Sequence, residues 1–282
     1  MQSRLLFTLL IGLLTAGCSS KEKEVLFESV QGTGIIFENK VTDTDSLNIV
    51  NYRNFYNGGG VATGDINNDG WMDVFFTANQ GPNKLFLNKG DWTFEDISER
   101  AGFGPKQQYS TGVVMVDINA DGWLDIFVCN AGSLRDPALR KNQLFINNQH
   151  LGFTEQAEQY GLADSGYTTQ VSFFDYDLDG DLDCFQIDNS PVEVSGLGYP
   201  RLRDLEARNW SVEEQFKSGG DHLYRNDNGK FVEVTRAAGI HGTLTSFGMG
   251  VSVGDINGDH YPDIFVAIDF FERDYLYINQ QD

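Results

Sequence analysis

Short apolar runs alternate with acidic turns along this chain, and the alternation repeats. One pattern reads VATGDINNDGWMDVFF at 61–76, VVMVDINADGWLDIFV at 113–128, VSFFDYDLDGDLDCFQ at 171–186 and VSVGDINGDHYPDIFV at 251–266. Its first Asp falls at 65, 117, 175 and 255, at intervals of 52, 58 and 80 residues. A second pattern follows: NKLFLNKGDWTFEDISERAGF at 83–103, NQLFINNQHLGFTEQAEQYGL at 142–162, DHLYRNDNGKFVEVTRAAGI at 221–240 and, in the fourth copy, DYLYINQQD. A unit is thus an apolar run, an acidic loop, a second apolar run, a Leu–aromatic run ending in Asn, a turn, and a run opening on Phe. That is four short strands with turn signals between them. Val, Ile and Phe dominate the runs, as strands buried between sheets require. Four-stranded units of about 50 residues have the size of propeller blades. The expected fold is all-β, with repeats near 61–103, 113–162, 171–240 and 251–282.

Each acidic loop places side-chain oxygens at positions 1, 3, 5 and 9: Asp65, Asn67, Asp69, Asp73; Asp117, Asn119, Asp121, Asp125; Asp175, Asp177, Asp179, Asp183; and Asp255, Asn257, Asp259, Asp263. Alternate residues of a tightly wound loop can face one centre. A hard cation that takes six to eight oxygens is satisfied by such a set plus a backbone carbonyl. Position 7 supplies that carbonyl in this reading: Trp71, Trp123, Asp181 and Tyr261. The donors are all oxygen, which points to up to four Ca²⁺ ions rather than zinc. An EF-hand would need Glu at position 12, where this chain has Phe76, Val128, Gln186 and Val266. Position 6 is Gly70, Gly122 and Gly180, suited to a positive φ. The fourth loop has His260 there, which singles it out as the weakest site.

The chain has 282 residues and a formal charge of -21 from 41 acidic and 20 basic side chains. Such a field repels phosphate backbones, so nucleic acid is not an expected partner. The four loops hold 14 of the 41 acids, so much of the acidity belongs to the candidate ligands. At the other end of the hydropathy scale, residues 5–14 (LLFTLLIGLL) form an apolar run behind Arg4, too short to span a bilayer. Thr15-Ala16-Gly17 leads to Cys18. This resembles a bacterial lipoprotein signal in which Cys18 is lipidated and residues 1–17 are removed. It departs from that pattern at Thr15, where Leu is usual. Residues 18–24 read as a polar tether, and 25–282 as the repeat domain. The implied place is the bacterial envelope, with membrane attachment through the lipid only. Cys129 and Cys184 lie in strand-like runs and read as buried thiols, with a disulfide as the alternative.

The loops resemble FG-GAP or VCBS repeats, as in integrin α-chain propellers. The run FVAIDFFERDYLYIN at 265–279 together with the LFLN…FEDISERAGF pattern is similar to bacterial relatives of cartilage acidic protein. The resemblance implies a seven-bladed propeller with calcium in these loops and a role in adhesion or ligand binding. Four units read as a truncated part of such a ring, with a closed four-bladed ring as the alternative. Val25–Phe37 resembles the strand that ends a unit and is a candidate to complete a blade.

The third unit carries an insertion at 187–220. Long ordered insertions on repeat scaffolds often carry binding. Tyr199, Arg201, Arg203, Arg208 and Trp210 are its candidate ligand contacts, and Leu202–Trp210 is a candidate helix. No nucleophile elbow or triad pattern is present. Glu193, Glu206, Glu213 and Glu214 are the carboxylates left for glycosidic chemistry. The reading is a non-catalytic module for an extracellular protein or polysaccharide, with a glycan-active enzyme or an accessory subunit of a polysaccharide uptake or degradation system as the alternative.

Overall fold

The computed structural model describes residues 26–105, 108–191, 205–270 and 272–281. It divides the chain into residues 1–31 and residues 32–282. Residues 26–31 contain no strand, and Leu26 and Phe27 are exposed.

From residue 32 the chain builds four antiparallel sheets in sequence order. Blade one is β1 (Val61–Gly64), β2 (Asp73–Phe76), β3 (Lys84–Asn88) and β4 (Phe94–Asp96). Blade two is β5 (Tyr109–Val116), β6 (Asp125–Ala131), β7 (Gln143–Asn147) and β8 (Phe153–Glu155). Blade three is β9 (Thr168–Phe174), β10 (Asp183–Asp188), β11 (His222–Asn226) and β12 (Phe231–Glu233). Blade four has β13 (Gly248–Gly254), β14 (Asp263–Ile268) and β15 (Tyr275–Tyr277) among the described residues. In each sheet every strand pairs with the next in the chain, so the acidic loop is the hairpin between the first two strands. The first strands of blades two to four begin three or four residues before the sequence repeats do.

The inner strands pack in series, β1 on β5, β5 on β9 and β9 on β13, while β13 and β1 are not packed together in this way. The architecture is that of an incomplete propeller. Apolar side chains fill the spaces between blades. Phe75, Leu85, Ile126 and Val128 form the layer between blades one and two, Phe127, Leu144, Cys129 and Cys184 that between two and three, and Phe185, Leu223, Ile264 and Val266 that between three and four. Both cysteines are buried free thiols, so the disulfide alternative is not realised.

The expected strand over 25–37 does not form in its described part, because residues 32–34 act as a blade-ending turn instead. Phe94 N–H donates to Thr33 O at 2.8 Å, as Phe153 N–H donates to Ala101 O at 2.9 Å. A Cβ on Gly34 would stand 2.8 Å from the Phe94 carbonyl oxygen, on Gly102 3.0 Å from that of Phe153, and on Gly161 2.6 Å from that of Phe231. Only glycine permits this approach.

Residues 44–57 cover the ends of the sheets remote from the acidic loops. Tyr52 and Phe55 are fully buried against Tyr109, Ala131 and Tyr167. The Arg53 guanidinium lies 3.9 Å from the Phe270 ring centroid, so this cap touches blades two, three and four. Asn79 Nδ2 ties blade one to it through Gly58 O at 2.9 Å.

Candidate metal centres

The four loops share one wiring. The position-1 carboxylate curls the loop around itself: Asp65 accepts from Asp69 N at 3.1 Å and Gly70 N at 2.7 Å. Asp117, Asp175 and Asp255 do the same toward positions 5 and 6. The position-5 carboxylate accepts the amide of position 7, as Asp69 does from Trp71 N at 2.9 Å. The side chains at positions 1, 3 and 5 therefore sit on one short coil.

Position 9 is different in kind. Asp73, Asp125, Asp183 and Asp263 are fully buried. Each brackets two segments: Asp73 accepts from Ile66 N at 3.0 Å and Asn88 N at 2.8 Å, and the other three accept the equivalent pairs. Burial, relieved only partly by these amides, pushes the carboxyls of Asp73 and Asp125 up to about 6 and that of Asp183 up to about 7. A nearby dication would favour the ionised forms.

The third loop gathers its acids most closely. Oxygens of Asp175, Asp177 and Asp183 lie within 4.8 Å of one another. Oδ1 of Asp177 and Oδ1 of Asp181 are buried without a hydrogen-bond partner among the described residues, and burial followed by the charge of Asp179 raises both carboxyls. Buried acceptors without donors are costly, and a hard cation satisfies them. The oxygen-only donor set fits calcium. Asp175, Asp177, Asp179 and Asp183 would hold it, with Asp181 offering a side chain where the sequence pointed to its carbonyl.

Position 6 has φ of 90° at Gly70, 85° at Gly122, 101° at Gly180 and 77° at His260. Position 4 is left-handed too, at Asn68 (57°), Ala120 (55°), Leu178 (61°) and Gly258 (83°). Every loop therefore carries one non-glycine residue in this region. The fourth has only exchanged the positions of glycine and side chain, so backbone strain does not by itself set it apart.

The insertion candidates separate. Tyr199, Arg201 and Arg203 lie outside the described residues, as does Cys18. Arg208 is exposed and paired with Glu206. Trp210 is a correction: it is buried, packs with Ala207 and Leu244, and donates from Nε1 to Leu205 O at 2.9 Å. Its apolar ring packs the insertion against the segment that leads into β13. In place of a helix to Trp210, the described part forms one 3₁₀ turn, Ala207–Asn209.

The sequence reading noted the Asn that closes each Leu–aromatic run but gave it no role. Asn88, Asn147, Asn226 and Asn279 donate from Nδ2 to the position-8 carbonyls of Met72, Leu124, Leu182 and Pro262. Asn147 and Asn279 also reach the preceding blade, at Ile66 O and Tyr176 O, both at 2.8 Å. Its recurrence in all four copies was the available signal.

A model of the FG-GAP-like repeat matches residues 65–128 and 214–266. Cartilage acidic protein 1 of Xenopus tropicalis is 36% identical over 133 residues, 47% of this chain and 20% of the relative. The Homo sapiens protein of that name is 42% identical over 76 residues, 27% of this chain and 12% of the relative. The aligned stretches thus span a fifth or less of these relatives. Residues 65–128 and 214–266 thus carry FG-GAP-like repeats, and over the aligned stretches the chain is related to cartilage acidic protein 1.

Proposed function

We propose that the chain is a calcium-dependent, surface-displayed scaffold that binds an extracellular protein or polysaccharide and has no catalytic role of its own. The observation that carries this reading is the third loop, where three carboxylates converge and two buried oxygens lack donors. Its wiring recurs in the other three loops. Calcium would stiffen each hairpin, and through the position-9 bracket it would hold strands two and three of the blade together. FG-GAP-like repeats suit an extracellular or surface module. Among the described residues no helix is long and apolar enough to cross a membrane. Attachment through a lipid on Cys18 is part of the proposal, and labelled palmitate incorporation that vanishes in Cys18→Ala would support it.

The test is a thermal melt in chelator and in rising calcium. Extracellular calcium modules bind at about 10⁻⁴–10⁻³ M. At about 1 mM calcium each such site adds about 0.4–1.4 kcal/mol by mass action. A melting temperature that rises with calcium, and less so with magnesium, supports the reading. A sharp transition indifferent to calcium would overturn it.

A further inference from the structure

Blade three breaks a rule that the other blades keep. The residue just before each third strand is Asn83, Asn142, Asp221 or Asp274. In blades one, two and four its Oδ1 caps a backbone amide five residues past the position-9 Asp: Ala78 N at 3.0 Å, Asn130 N at 2.9 Å and Ile268 N at 2.8 Å. The corresponding amide in blade three belongs to Asp188, and Asp221 does not take it. The insertion re-enters the blade through Gly219-Gly220, and Gly220 N–H donates to Asp188 O at 3.0 Å. Asp221 is left 2% exposed, with neither carboxylate oxygen hydrogen-bonded among the described residues.

Asp221 is one of the residues lining a cavity of about 320 Å³, together with His222, Glu233, Arg236, His241 and Gly242. Its lining carries three acids, Glu206, Asp221 and Glu233, and three cations, Arg208, Lys217 and Arg236. Asp188, fully buried with Oδ2 also unpartnered, and Glu272 both act on Asp221 as like charges. The nearby cation, His222, bonds Glu233 Oε1 through Nδ1 at 2.8 Å, while its Nε2, 4.0 Å from Asp188 Oδ2, makes no hydrogen bond among the described residues. Arg208 is paired with Glu206 and Lys217 with Glu214. Arg236 is exposed at the rim, where water screens it. A buried charge counts for more than a wetted one. The side chains here do not converge tightly enough for a metal ion; among the described residues that occurs at Asp175, Asp177 and Asp183.

We propose that this cavity receives the cationic head of a ligand, a guanidinium or primary ammonium group, on the Asp221 carboxylate. Two free acceptor oxygens match the paired N–H donors of a guanidinium, and the volume admits one such head with its alkyl stem. The site lies at the end of β10 opposite the acidic loop, so it stands apart from the calcium reading. The cation could belong to a small amine or to an Arg or Lys side chain of a protein partner.

Calorimetric titration in saturating calcium tests it, with agmatine and the peptide N-acetyl-Gly-Arg-Gly-amide as probes. Methyl glucoside and the matching Gln peptide are the neutral controls. The variant is Asp221→Asn, which places in blade three the residue that blades one and two already have. It is therefore expected to fold, and its calcium-dependent melting checks that independently. Saturable binding of agmatine at millimolar concentration or below, weakened at least tenfold in D221N and unchanged in the exposed control Glu99→Gln, supports the site. Binding of agmatine alone assigns it to small amines, and binding of the Arg peptide as well assigns it to a protein side chain. Three results would overturn the proposal: no saturable binding of either cation, equal binding by D221N, or equal binding of the neutral controls.

Discussion

Replacing Asn147 by Ala should destabilise the protein more than the same change at Asn88, because only Asn147 bonds across a blade boundary. Asn88 makes two side-chain bonds, Nδ2 to Met72 O at 3.0 Å and Oδ1 from Gly90 N at 2.9 Å. Asn147 makes the equivalent pair, to Leu124 O at 3.0 Å and from Gln149 N at 2.9 Å. It adds the bond to Ile66 O at 2.8 Å, and Ile66 is buried. At about 1 kcal/mol net per neutral bond the costs are about 2 kcal/mol for Asn88→Ala and about 3 kcal/mol for Asn147→Ala. The second rises toward about 5 kcal/mol if water cannot reach the orphaned Ile66 carbonyl. For a domain of this size each kcal/mol lowers the melting temperature by about 2–4 °C. Equilibrium urea unfolding in saturating calcium, followed by tryptophan fluorescence, gives both values with the loops in one state. The slope against urea must stay the same for the comparison to hold. A cost for Asn147→Ala no greater than for Asn88→Ala would refute the idea that these amides lock neighbouring blades. Asn279→Ala, which loses the bond to Tyr176 O, should group with Asn147→Ala.

Other outcomes follow from buried and strained groups. Burial pushes the carboxyls of Asp188 and Asp221 up to about 7 and 8. His222 is pulled down by burial but raised overall to about 9 by its bond to Glu233 and the charge of Asp188. In all three the folded state holds the proton more tightly than the unfolded one. In saturating calcium, stability should therefore fall as pH rises from about 4 to about 9. Asp221→Asn should flatten the part of that fall below pH 8, measured as melting temperature against pH. Leu178 holds φ 61° on an exposed loop position. Leu178→Gly should gain about 0.5–1 kcal/mol, the left-handed penalty less the glycine's entropy, read as a small rise in melting temperature. Cys129 and Cys184 are fully buried, with thiols raised by burial. A thiol reagent should label neither at appreciable rate until denaturant is added, and rapid labelling of the native protein would contradict the packing between blades two and three.

The blades were legible in the sequence because four copies of one pattern suppress chance. A single DINNDGWMD could be any solvated turn, whereas the same spacing four times fixes the loop, the flanking strands and their order. The left-handed backbone at position 6 was legible for the same reason. Position 4 was not, because Asn68, Ala120, Leu178 and Gly258 share no chemistry. Trp210 was misread because a large aromatic beside arginines suits a recognition surface and a small core equally well. Only the neighbourhood of Ala207 and Leu244 decides between them. The cap over 44–57 left no trace in the periodicity: Tyr52 and Phe55 are buried by irregular backbone whose polar groups are met by Asn48, Asn51 and Asn54.

The position-9 aspartates show why the repeat must be read for structure before function. As candidate ligands they were placed with positions 1, 3 and 5, yet each spends both oxygens on backbone amides from two segments of its blade. Such a residue would recur in every copy whether or not a cation was bound. At a position that brackets backbone amides in this way, recurrence identifies what a blade needs in order to fold. The residues free to do something else are those where one copy departs from the rule while remaining buried. By that criterion Asp221 stands out. Its counterparts Asn83, Asn142 and Asp274 cap a strand-end amide, whereas the Asp221 carboxyl, pushed up to about 8 by burial, stays in the interior with no hydrogen-bond partner among the described residues. A buried carboxyl without a hydrogen-bond partner is costly, and in blades one and two an Asn that caps an amide avoids that cost. Its presence here in place of the Asn of blades one and two is explained if something brought from outside meets it.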